Sequence, residues 1–290
     1  MLPRAERIKG QFEVHPLSAV LGAEIIGVDV AQPLTDALFD AIAEALHRYH
    51  VLVFPGQHLD TDQQVAFSRR FGTLQVHVLN QYRAADRPEV IMITNLDKNG
   101  KPQGFHPDPG AQIWHSDGSW NKRPGKVTML YGIEVPAQGG NTDFANMEAA
   151  YDALSEADKV YYATLRAVHD LNYSRSLTTA KDQMTEEQKA AAPPVERALI
   201  KTHPATGRKS IYLGGHASHI VGMPLAEGRQ LVAKINAHAT QPQFTLSYRW
   251  RPHDLVLWDN RAVLHRATAY DYGNARRVIR RTTVLDDNAA

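Results

Sequence analysis

The residues best able to hold a metal ion are three His-x-Asp pairs, His58/Asp60, His106/Asp108 and His115/Asp117. Two imidazoles and one carboxylate on one side of an ion, with the other side open, form the donor set of non-haem iron sites. Residues two apart on a strand project the same way, so a His-x-Asp pair can supply two of the three ligands. The motif alone decides little. With 14 histidines and 31 acidic residues, roughly one or two matches arise by chance. Context separates the three. In HLDTDQQ, Asp60 stands at the entry to a helix and reads as its cap. In HPDPG, Pro107 and Pro109 enforce a loop and remove backbone donors. In IWHSDGSW, aromatic and aliphatic neighbours suggest a half-buried strand end, where a ligand shell would be dry and rigid. The third ligand must come from elsewhere. His265 follows the apolar run AVL, whereas His253, beside Pro252, reads as a turn. A hydrogen-bonded structural histidine would fit His265 equally well at this point.

Arginines follow in ARRVIRRTTVL. On a strand, Arg277 and Arg281 share one face with Ile279 and Thr283, and Arg276 and Arg280 share the other. Two arginines turned inward would be costly without anionic partners, and their natural task is bidentate capture of carboxylates. Patterning alone does not choose the face, and an edge strand with solvated arginines reads as well.

The absence of cysteine removes disulfides, thiolate metal sites, iron–sulfur clusters and thiol catalysis. A formal charge of +1 from 32 basic and 31 acidic residues gives no reason to expect nucleic acid or an anionic membrane as partner, but leaves a small anionic substrate open. With 43% hydrophobic and 22% charged residues, there is ample material for a core. The N-terminal MLPRAERIKG has no apolar signal region, and no apolar run reaches membrane-spanning length. The expected location is cytoplasmic, with no membrane partner and with homo-oligomerisation left open.

These residues need rigid elements to position them. Thr35 or Asp36 can cap a helix with apolar Leu38, Phe39, Ile42, Leu46 and Tyr49, followed by a buried strand VLVF from Val51 to Phe54. Thr61 with Gln64 reads as a capping box for a second helix ending near Phe71-Gly72. Further helices are expected over 147–165, broken near Ser155, and over 226–240. Strands are expected over 127–135, 211–213, 244–250, 254–260 and 278–285. Helices gathered early and mid-chain around several strands predict an α+β fold with a β-sandwich or jelly-roll core. No tether divides the chain, so one domain over residues 1–290 is expected.

WHSDGSW, GGNTDFANMEAAYDAL, LVLWDNRAVLHRAT and ARRVIRRTTVLDD, in this order, resemble the taurine/2,4-dichlorophenoxyacetate dioxygenase family. The resemblance begins at about HPLSAVLGAEIIGVDV and covers nearly the whole chain. GGHASHIVGMPLAEGRQL and the RRTTVLDD ending resemble the phenoxyacetate-cleaving branch. It implies a double-stranded β-helix (jelly-roll) core with flanking helices, Fe(II), and 2-oxoglutarate and O2 as cosubstrates. Carried over by position, His115, Asp117 and His265 match the iron triad. Thr142 and Arg277 match the residues that hold the distal carboxylate of 2-oxoglutarate. Arg281 matches the arginine that faces the substrate's acidic group, and His77 matches a substrate histidine of the taurine branch. Asn80 stands where that branch has tyrosine, which weakens a taurine reading. Residues 78–112 depart most and read as a substrate lid, with Trp120 a candidate for the apolar wall. The implied reaction hydroxylates an aryloxyacetate beside its ether oxygen, yielding a phenol and glyoxylate with succinate and CO2. An alkylsulfonate or alkyl sulfate dioxygenase would share the metal and cosubstrate residues. A zinc hydrolase or a non-catalytic jelly-roll binding module remain as other classes.

Overall fold

The computed structural model describes residues 4–8, 11–178 and 184–287. In chain order the first part contains β1 (Glu6–Ile8), β2 (Phe12–Pro16), β3 (Ala23–Ile26), α1 (Asp36–Tyr49), β4 (Val51–Phe54), α2 (Thr61–Arg69) and β5 (Ile91–Thr94). The middle contains β6 (Gly125–Glu134), β7 (Thr142–Asn146), α3 (Met147–Asp152), α4 (Glu156–Ala163), β8 (Arg166–His169), α5 (Leu171–Ser176) and α6 (Glu186–Ala191). The last part contains β9 (Val195–Ala198), β10 (Ile200–Thr202), β11 (Lys209–Ile211), β12 (Ala217–Ile220), α7 (Leu225–Ala239), β13 (Thr245–Tyr248), β14 (Leu255–Asp259), β15 (Val263–Ala267) and β16 (Val278–Leu285).

The larger sheet runs β1-β2-β3-β4-β14-β6-β16-β5, antiparallel except where β3 meets β4. A smaller sheet runs β13-β7-β15, and a bridge between His115 and His265 lays the segment before β6 along its edge. Alternation along β14 shows how the layers are glued. Leu255 and Leu257 join Ile42, Leu46 and Phe67 of α1 and α2 on the outer face. Val256 and Trp258 instead pack with Phe144 of β7 and Val263 of β15 between the sheets. The outer face of the smaller sheet, through Ala145 and Leu264, is covered by Met147 of α3 and Ile235 of α7.

Thr35 caps α1 through its side chain, as expected, and α1 buries Ala41, Ile42, Ala45, Leu46 and Tyr49. The cap of α2 is Asp60, as its place at the helix entry suggests, and the capping box is Asp60 with Gln63 rather than Thr61 with Gln64. Asp60, in extended backbone, accepts from the Gln63 N–H, and the Gln63 side chain returns the bond. Gln64 is buried under the helix and bonds to the β16 backbone at Arg280. Asp60 wins because its short side chain reaches the free N–H groups without leaving the extended entry conformation. The 147–165 helix breaks at Ser155 as expected, with Ser155 capping α4. The strand expected at 211–213 falls at Lys209–Ile211.

Candidate active site

The site sits between the sheets, where β15, β16 and the 115–117 segment meet. His115 and His265 exchange backbone hydrogen bonds at 2.9 Å in both directions. This pairing fixes both imidazoles on one side, with ring centroids 4.2 Å apart. Asp117 projects into the same space. Its Oδ1 lies 3.7 Å from His115 Nε2 and its Oδ2 lies 3.6 Å from His265 Nε2. All three side chains are buried, with potential ligand atoms within 4.8 Å of one another. His115 Nδ1 faces the Ile113 carbonyl at 2.7 Å. A carbonyl can only accept, so the ring proton sits on Nδ1 and the Nε2 lone pair is left for a metal. His265 is held against Trp258, ring centroids 4.4 Å apart. The donor set suits a hard or borderline divalent ion with open coordination positions.

Asp117 is oriented by a chain of bonds. Thr128 Oγ1 donates to Asp117 Oδ2 at 2.7 Å, and Asn260 Nδ2 donates to Thr128 Oγ1 at 2.9 Å. Asn260 Oδ1 also accepts from the Asp117 N–H and from Trp258 Nε1. Burial alone would raise the Asp117 pKa. The Arg281 guanidinium, His265, His115 and the Thr128 hydroxyl outweigh it and hold the carboxyl well below the usual range. His265 is kept neutral by burial and by its neighbour His115. Asp117 is thus poised as an anion and His265 as a neutral donor.

A second grouping, His47, His203 and Asp259, meets within the same 4.8 Å, but the lone pairs of His203 and Asp259 are spent. His203 Nδ1 accepts from the backbone N–H groups of Ala205 and Thr206, so its proton sits on Nε2 and goes to Asp259 at 2.9 Å. Arg261 grips the same carboxylate from Nε and Nη2. His203, Asp259 and Arg261 thus form a structural network.

Two cavities flank the triad and share His115, Asp117 and Arg281. One contains Arg277, Thr142, His106, Leu130 and Trp258. Arg277 is 3% exposed, its backbone N–H is pinned by Asn95, and its Nε has no partner among the described residues. Thr142 Oγ1 accepts from Trp250 Nε1 at 3.0 Å, so its own proton is free to be donated. The other cavity contains Arg281 and His77 with an apolar wall of Leu79, Ile91, Trp120 and Leu171. Arg281 Nη1 reaches Asp117 Oδ1 at 3.4 Å, while its Nε has no partner. His77 packs edge-on against Trp120 at 5.5 Å, and its Nδ1 accepts from the Leu79 N–H. Asn80 is exposed, and Tyr82 is the residue of that turn that faces the cavity.

Arg281 on β16 and Arg277 just before it therefore face inward, while Arg276 and Arg280 face outward. Arg276 is exposed and pairs with Glu134. Arg280 is buried beneath α2 on Gln64, Thr61 and the carbonyls of Leu59 and Asp60. Of the other His-x-Asp pairs, Asp60 is the α2 cap, and His106/Asp108 lies in the loop before a 3-10 turn. His253, at φ 67°, stays in its turn. The site also uses residues that the sequence did not single out. Thr128 and Asn260 steer Asp117, and His216 sits 5.8 Å from the His115 ring with Nδ1 on Ser174. Their types are common, and only the register of β6 against β14 and β16 brings Thr128 and Asn260 to the metal site.

Comparison with known proteins accords with this geometry. A model of the family "Taurine catabolism dioxygenase TauD, TfdA family" matches residues 13–283. The chain is 40% identical over 281 residues to an alpha-ketoglutarate-dependent 2,4-dichlorophenoxyacetate dioxygenase of Cupriavidus pinatubonensis, spanning 94% of this chain and 97% of the relative. It is 36% identical to an (S)-phenoxypropionate/alpha-ketoglutarate-dioxygenase of Sphingobium herbicidovorans, spanning 96% of each. The crystal structure of AAD-2 in complex with Mn(II) and N-oxalylglycine superposes with a TM-score of 0.85 at 36% identity, covering 96% of this chain and 98% of that one. The chain belongs to the TauD/TfdA family of alpha-ketoglutarate-dependent dioxygenases.

Proposed function

We propose that this protein is an iron(II)- and 2-oxoglutarate-dependent dioxygenase that cleaves aryloxyacetates, folded as one domain around a double-stranded β-helix core. The core reading rests on how consecutive strands change sheet. β5 lies in the larger sheet, the 115 segment in the smaller, β6 in the larger, and β7 and β13 in the smaller; β14, β15 and β16 then alternate. His115, Asp117 and His265 hold the iron. Thr142 and Arg277 hold the distal carboxylate of 2-oxoglutarate. Arg281 meets the substrate's carboxylate, with His77 beside it. The observation that carries this reading is the pair of inward arginines, Arg277 just before β16 in one cavity and Arg281 on β16 bordering both, beside the triad.

Bound iron(II), 2-oxoglutarate and O2 supply the power to place an oxygen atom at a C–H bond, with 2-oxoglutarate leaving as succinate and CO2. The protein's part is placement. Arg281 can grip a carboxylate through parallel N–H bonds, which sets the adjacent carbon beside the triad. Trp120, Leu79, Ile91 and Leu171 give an aromatic ring a dry wall. Hydroxylation of the carbon between the carboxylate and the ether oxygen gives a hemiacetal. Its C–O bond breaks to release the phenol and leave glyoxylate, so no dedicated protein base is needed. Succinate formed per enzyme, with 2,4-dichlorophenoxyacetate, phenoxypropionates and taurine offered separately under saturating Fe(II), tests this. Turnover of the aryloxy acids is expected; efficient turnover of taurine with none of any aryloxy acid would replace it with a sulfonate reading.

A further inference from the structure

His106 belongs to a His-x-Asp pair that the metal site does not use, yet it is only 5% exposed. Pro107 and Pro109 bend the loop so that its imidazole enters the cavity of Arg277 and Thr142. Its Nδ1 accepts from the Asp108 backbone N–H at 3.0 Å. The ring proton must therefore sit on Nε2, making that atom a donor. Nε2 is buried and has no partner among the described residues. Asp108 does not serve it, since its carboxylate accepts from the Gly110 N–H and lies 3.9 Å from Arg175. Burial and the Arg277 charge keep the imidazole neutral, with its pKa lowered to about 4. Orphan donors accumulate here, for Arg277 Nε and the Tyr270 hydroxyl also lack partners among the described residues. The groups acting on Arg277 are Tyr270 and Tyr272 rather than a carboxylate. Buried donors without acceptors cost free energy, which a bound anion recovers.

We propose that His106 is a third donor to the distal carboxylate of 2-oxoglutarate, through Nε2–H, alongside Arg277 and Thr142. This rests on the cosubstrate reading above and adds a residue to it. Its consequence is selection, because a 2-oxo acid without a distal carboxylate leaves His106 unserved. The test is anaerobic calorimetry on Mn(II)-loaded protein, titrating 2-oxoglutarate and pyruvate into wild type, His106→Leu and His106→Gln. A hydrogen bond to a charged group predicts 2-oxoglutarate binding weakened on the order of ten- to a hundredfold in His106→Leu. Pyruvate binding should be unchanged. His106→Gln, whose amide nitrogen reaches about where Nε2 lay, should recover most of the loss. Wild-type affinity for 2-oxoglutarate in His106→Leu, or an equal loss for both acids, overturns the proposal. Failure of the wild-type protein to bind 2-oxoglutarate at all would overturn the dioxygenase reading itself, and is a distinct result.

Discussion

Arg276 and Arg277 are neighbours with opposite fates, because successive side chains on a strand face opposite ways. Arg276 meets solvent and Glu134; Arg277 is buried with an unpaired Nε. Breaking a buried ion pair by removing one partner costs on the order of 3–5 kcal/mol, so Arg277→Ala should raise the 2-oxoglutarate requirement by about two decades or more. Arg276→Ala should be nearly silent. Cosubstrate titrations of both variants check this, and a damaging Arg276→Ala with a mild Arg277→Ala would reverse the facing. Thr128 offers a second test at this scale. Its hydroxyl donates to Asp117 at 2.7 Å, beside the longer Arg281 contact, and Thr128→Val removes that bond at constant shape. Residues that orient a ligand typically contribute about 10–100-fold in metal affinity, so Mn(II) binding should weaken by that order. Because the buried Asn260 amide loses its acceptor, the metal-free protein should also lose about 1–3 kcal/mol of stability. Unchanged affinity would show that Asn260 and Arg281 suffice to hold the carboxylate.

The elements that place these residues were legible where local chemistry is strong. Val278 to Leu285 reads as a strand by alternation and is one, Thr35 is the one of two candidate residues that caps α1, and the helical stretch breaks at Ser155 as expected. The triad was narrowed by context but completed only by resemblance, since nothing local tells a structural histidine at 265 from a ligand. Long-range partnership was not legible. Asn260 ends a recognisable strand, yet its bonds to Asp117 and Thr128 depend on sheet register. Arg197 is a similar case. From β9 it donates to the carbonyls of Ser119, Asn121 and Lys122, clamping the turn that follows Asp117 and carries Trp120. Nothing in VERA announces this. Arg197→Met keeps the apolar stem but strips these charged donors, and should cost about 3 kcal/mol or more in denaturant unfolding. Aryloxy acid KM should rise as Trp120 loosens. An intact KM with full stability would show that the turn holds itself.

At the scale of the whole molecule, the fold buries several histidines far from any metal role, and this shapes its response to acid. His50 ends α1 in the left-handed conformation at φ 63° and is 3% exposed; His169 is fully buried with Nδ1 on Ser119. Burial first, then Arg208 and nearby histidines against the opposing pull of Asp259, lowers the His50 pKa to about 4. Burial, Arg197 and Lys201 lower that of His169 to about 3. Both lie below the ordinary value near 6.5, so the unfolded chain binds protons that the folded one refuses. Their contribution is fully present above about pH 6.5 and is lost as pH falls towards 4. Each histidine removes about 1.4 kcal/mol per pH unit across that window, or roughly 2 kcal/mol each by pH 5. Glu148, which faces His50 and is raised by its own burial, acts in the opposite sense, its cost growing as pH rises. His50→Asn separates the two, because asparagine tolerates the left-handed backbone and does not titrate. Urea unfolding of the metal-free protein at pH 7.5, 6 and 5 should show stability falling with acid. The fall should be shallower in His50→Asn by about one proton's worth of slope. Parallel pH profiles for variant and wild type would show that His50 is protonated in the folded state as readily as in the unfolded chain.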